Sequence, residues 1–95
     1  MDKRYWVSGI SVYNGKACAN WLSSPCMSVK EAVRAIRVWV DGYGDTVSAF
    51  IREEDIETGK MRVVFAANFV NFIGTKDTTA LDRFEKELEE QENGV

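Results

Sequence analysis

Tyr5 to Leu22 reads YWVSGISVYNGKACANWL, and this stretch decides the fold. Tyr5 to Val12 mixes aromatic and β-branched residues, and Lys16 to Leu22 answers it across Asn14-Gly15. Asn-Gly between two such runs is a strong hairpin signal, because both central residues of the favoured two-residue turn need positive φ. That turn fixes a register in which Val12 faces Ala17, Ile10 faces Ala19 and Ser8 faces Trp21. These residues, with Trp6, read as the core face. Tyr5, Val7, Tyr13, Cys18 and Leu22 then fall on the opposite face.

Outward from the hairpin, Ser-Ser-Pro at 23–25 ends the second strand. Ser28 and Glu31 form a capping box, whose hydroxyl and carboxylate satisfy the free N–H groups that open a helix. Val29, Ala32, Val33, Ile36 and Val40 recur at helical spacing, with Gly42 as the stop. Thr46 to Ile51 alternates as a third strand. Glu53 to Gly59 reads as the connection, into which the strand ends can extend, and Lys60 to Phe72 as a long fourth strand. Asp77-Thr78-Thr79 caps a second helix running to Glu92, with Leu81, Phe84 and Leu88 as its seam. The expected fold is α+β. It is a single two-layer domain of order ββαββα, with a four-stranded antiparallel sheet and two helices on one face.

At 95 residues, 45% hydrophobic and 28% charged, the chain fits one globular domain over 1–95, with 1–4 and 93–95 frayed. No apolar run approaches the roughly 20 residues of a membrane span, and no signal-peptide core is present. Cys18 and Cys26 are too few for a disulfide scaffold, so the expected compartment is a reducing cytoplasm. The net charge of −3 hides an asymmetry. Residues 1–44 carry six Lys/Arg against three Asp/Glu, and residues 45–95 six against twelve. Such a dipolar chain either docks charged partners or pairs one half against the other.

Catalytic chemistry finds little support. The sequence has no histidine, the commonest general base and metal ligand. Neither cysteine has an apparent base to generate a thiolate. The acidic run Glu53, Glu54, Asp55 and Glu57 lacks the alternating ligands and mid-loop glycine of a calcium loop, so a solvated tip is the expectation. Gly42-Tyr43-Gly44 follows a helix instead of opening one, so it offers no phosphate cradle. The reading is a non-enzyme with no cofactor and no metal.

The turn Tyr13-Asn14-Gly15, with Trp21 and Pro25, resembles the start of ArdA-type antirestriction proteins, which open with a similar turn and a downstream Trp and Pro. The resemblance departs by a deletion in the turn and ends by residue 31. The chain also lacks that family's heavy acidity, and no functional residue is carried across.

Function therefore rests on surface. Trp6, Ile10, Val12, Trp21, Val47, Ile51, Met61, Val63, Phe65 and Phe69 fill the expected core face. The other face still carries apolar groups, where a one-sided sheet should be polar. The expectation is a protein-interaction or self-associating module whose contact residues are Tyr5, Val7, Tyr13, Leu22, Phe50, Val64, Val70 and Phe72. Its partner is another protein or a second copy. The alternative is nucleic-acid binding through the basic stripe Lys30, Arg34 and Arg37 on the first helix.

Overall fold

The computed structural model describes residues 2–13, 16–22, 25–42, 46–71 and 73–92, and for Tyr13 and 16–22 the backbone alone. The Asn14-Gly15 turn, the Ser23-Ser24 break, Tyr43-Gly44, Phe72 and the 93–95 tail lie outside the described residues. Six elements follow in order: β1 (Lys3–Tyr13), β2 (Lys16–Leu22), α1 (Val29–Gly42), β3 (Thr46–Asp55), β4 (Met61–Asn68) and α2 (Thr79–Glu92). All strand pairs are antiparallel, in the order β2-β1-β3-β4.

The expected even, four-stranded layer beneath two helices is corrected. β2-β1-β3 forms a three-stranded antiparallel body, and β4 is appended along β3 as an edge. The fully buried sheet residues Val7, Ala49 and Ile51 belong to β1 and β3. β4 contributes none, and five of its eight residues are exposed. The reason is lateral reach. Among the described residues α1 packs on β1 and β3 while α2 packs chiefly on β4 and α1, so β4 lies beneath the rim of the helical layer.

Each ladder carries a register shift: between Ser11 and Val12 against β2, between Ile10 and Ser11 against β3, and between Ile51 and Arg52 against β4. Val12 pairs with Ala17 as the turn predicts. Beyond the shift Ile10 meets Asn20 and Ser8 meets Leu22, one residue out from expectation. An extra residue in one strand of a pair locally bends and twists the sheet.

The face assignment is inverted for β1 and for Met61 and Val63 of β4, whereas Ile51, Phe65 and Phe69 lie on the core side as expected. Gly9, Ala49 and Ala67 form one row across three strands, and Val7, Ile51 and Phe65 form the next. This side packs against Ala32, Val33, Ile36 and Val40 of α1 and Leu81 of α2. Small residues let a helix approach the sheet closely, and a Trp6 side chain has no room there. Trp6, Ile10, Met61 and Val63, expected in the core, are therefore on the other face. Tyr5 and Val7 are on the helix side.

The caps behave as the sequence reads. The Glu31 N–H donates to Ser28 Oγ at 3.1 Å, and the Met27 N–H donates to Glu31 Oε2 at 2.7 Å. Asp77 accepts from the N–H and hydroxyl of Thr79 at 2.9 and 2.6 Å, which holds its carboxyl below the usual range. β4 stops at Asn68, short of Phe72. Phe69 turns into the core, and the chain folds back so that Val70 bridges Lys76 around Gly74, whose φ is 84°.

Candidate functional site

The uncovered side of the sheet is built from alternate residues of three strands. β1 supplies Arg4, Trp6, Ser8 and Ile10. β3 supplies Glu54, Arg52, Phe50 and Ser48, and β4 supplies Met61, Val63, Ala66 and Asn68. Among the described residues no helix packs on it. Val63 is 57% exposed and Met61 43%, while Trp6, Ile10 and Phe50 are half-buried by their neighbours.

The polar groups here are of two kinds. Arg4 Nε donates to Glu54 Oε1 at 2.5 Å, and the Trp6 indole N–H donates to the same oxygen at 2.8 Å. The Arg4 guanidinium lies 5.3 Å from the Trp6 ring centroid. Glu54 is thereby held below the ordinary carboxylate range, chiefly by Arg4 and then by Trp6. That group is internally closed. Arg52 differs: it lies over the Phe50 ring at 5.6 Å, and its Nε is shut off from solvent with no hydrogen-bond partner.

On the helix side, one residue away in sequence, Glu53 collects three donors. Lys3 Nζ lies at 3.2 Å, Arg62 Nε at 2.9 Å and the Tyr5 hydroxyl at 3.2 Å. The Tyr5 hydroxyl titrates above its usual range, first through burial and then beside Glu53. Glu53 and Glu54 belong to β3, paired with Tyr5 and Arg4, and not to a hairpin tip as expected. The tip is Asp55 to Lys60. There Asp55 Oδ1 accepts from the N–H of Glu57 and of Thr58, and Gly59 takes the positive φ of 74°.

No protein-family model matches this chain, nor does any curated protein or solved structure.

Of the expected contact residues, Phe50 is on the open face. Val7 is fully buried, Tyr5 and Val64 pack against the core, and Val70 is 41% exposed beyond the end of β4. Leu22 pairs through its backbone with Ser8, Tyr13 pairs with Lys16, and Phe72 lies outside the description. The apolar groups that the sequence reading placed inside, Trp6, Ile10, Met61 and Val63, take the place of those lost.

The basic stripe of α1 is turned towards α2. Lys30 Nζ donates to Glu92 Oε2 at 2.9 Å, and Arg37 donates to Asp82 at 2.6 Å and to Glu85. Arg34 lines the same groove with Glu85, Glu89 and Glu92. Asp82 is held below its ordinary range, chiefly by Arg37. The positive half of the chain thus meets the negative half within the molecule. Among the described residues, no group of three His, Cys, Asp or Glu is placed to hold a metal ion, and no helix is long and apolar enough to cross a membrane.

Proposed function

We propose that this chain is a non-catalytic protein-binding module that uses the open face of its sheet. The observation that carries the reading is the apolar set Trp6, Ile10, Phe50, Met61 and Val63, left without a covering helix among the described residues and interleaved with Arg4, Ser8, Ser48, Arg52, Glu54 and Asn68. Exposed large apolar groups mixed with charged ones in this way are found at contact sites. We favour this over nucleic-acid binding because the Lys30, Arg34 and Arg37 stripe lines a groove with the carboxylates of α2 and the chain is acidic as a whole.

A random decapeptide display library tests the reading, selected on the wild-type chain and counter-selected on Val63→Glu. Val63 is surface-exposed, so its substitution leaves the fold intact while placing a charge in the contact. Enrichment of peptides that bind the wild type and not the variant supports the face. Failure to enrich any above the variant overturns it.

A further inference from the structure

The geometry points to a carboxylate as the group this face recognises, with Arg52 as the residue that reads it; this rests on the open face being the contact surface. Across the described residues of the face, Arg4 and Arg52 stand against one carboxylate, Glu54. Arg4 and Glu54 neutralise each other through two hydrogen bonds. Arg52 is left with one uncompensated positive charge. It is bordered by Trp6 and Val63 through its cross-strand pairings and by Phe50 beneath its guanidinium.

Among the described residues the Arg52 guanidinium has no hydrogen-bonded acceptor, and its Nε is buried and unsatisfied. The buried Nε is thus desolvated without compensation, and the guanidinium keeps its positive charge with no carboxylate against it among the described residues. A planar fork on an aromatic platform suits a carboxylate, which accepts two N–H donors at once. The charge count argues for one such group. A single unpaired cation matches one side chain in an otherwise apolar segment, whereas a polyanion needs several, and the chain as a whole carries a net charge of −3. A second copy brings the same surplus charge to the contact and is the poorer match. The occupant is thus a segment of another protein, apolar with a central Asp or Glu.

The peptides selected on the open face test this directly. Binding of fluorescein-labelled peptides is followed by anisotropy, with each acidic residue replaced by its amide and with Arg52→Lys and Arg52→Gln beside the wild type. The expected result is an Asp or Glu among apolar residues in the selected set. Its replacement by Asn or Gln weakens binding at least about tenfold, and neither variant keeps that preference. Arg52→Lys preserves charge without the fork, so equal discrimination by Lys would overturn the proposal. So would selected peptides that depend on Val63 but lack an acid, in which case the binding face stands and the carboxylate assignment falls. Retention of a single-stranded thymidine oligonucleotide that is lost in Arg52→Gln would overturn it in favour of phosphate. If no peptide is enriched at all, both readings fall together.

Discussion

Glu53 and Glu54 are consecutive on β3 and face opposite sides of the sheet, yet each is held by cationic and aromatic donors from β1. Their side chains keep only 12% and 17% of their exposure. Both titrate below the ordinary carboxylate range, Glu53 chiefly through Arg62 and Glu54 chiefly through Arg4. A lowered folded-state value means that the unfolded chain binds protons first as pH falls. Stability is then fully present above the ordinary carboxylate range and is lost progressively on acidification through it. Urea melts between neutral pH and about pH 3 should show this decline, and Glu53→Gln with Glu54→Gln should flatten it. A second prediction concerns Arg52, opposite Val63 on β4. Val63→Glu gives the guanidinium a cross-strand carboxylate and should raise stability by about 0.2–1 kcal/mol in urea melts, whereas Val63→Lys should not. The pairings of Glu53 and Glu54 with β1 are not visible in the sequence, because those partners lie 48 to 50 residues apart. Local spacing shows a strand and its alternation but not which distant strand supplies the countercharge.

α2 shows how magnitudes decide what holds an element. Its ion pairs to α1 join side chains that remain partly exposed, with Asp82 at 58% and Arg37 at 27%. Pairs of that kind contribute about 1 kcal/mol or less and are screened by salt. Leu81 is fully buried, and the Phe84 ring stacks on Phe65 at a centroid distance of 4.6 Å. Leu81→Ala should cost about 2–5 kcal/mol, while Arg37→Met should cost about 1 kcal/mol or less. Amide hydrogen exchange across 79–92 checks this: the Leu81 variant should open α2 far more than the Arg37 variant or added salt. Both helices were legible in the sequence, since Ser28, Glu31 and Asp77 announce their starts and the apolar spacing their buried sides. The face of β3 was also legible, since Ala49 and Ile51 are buried together, but the face of β1 was not. Both sides of β1 alternate apolar residues, Tyr5 and Val7 on one and Trp6 and Ile10 on the other, and hydrophobicity alone cannot choose between them. The row Gly9, Ala49 and Ala67 does choose, because small residues mark where a helix comes close, but the row exists only once the register is known.

For the whole molecule, the deciding quantity is length. α1 has 14 residues, about 21 Å as a helix, whereas β1 has 11, about 36 Å as a strand. The sheet outruns its helices along the strands as well as at its β4 edge. The shortest principal extent is 20 Å, the depth of one helix layer on one sheet layer, beside long axes of 41 and 31 Å. No third layer fits within that depth over Trp6, Phe50 and Val63. An open apolar face ordinarily invites self-association, so the oligomeric state becomes the sharpest property to measure. Two copies meeting face to face would bury two uncompensated Arg52 side chains in one contact, and each chain carries a net charge of −3 that opposes approach. Sedimentation equilibrium at micromolar concentration should therefore report a 10.7 kDa monomer. Arg52→Met removes the surplus charge and enlarges the apolar patch, and should shift that monomer towards dimer. A wild-type dimer that Val63→Glu dissolves would instead mean that the face closes on a second copy of the same chain.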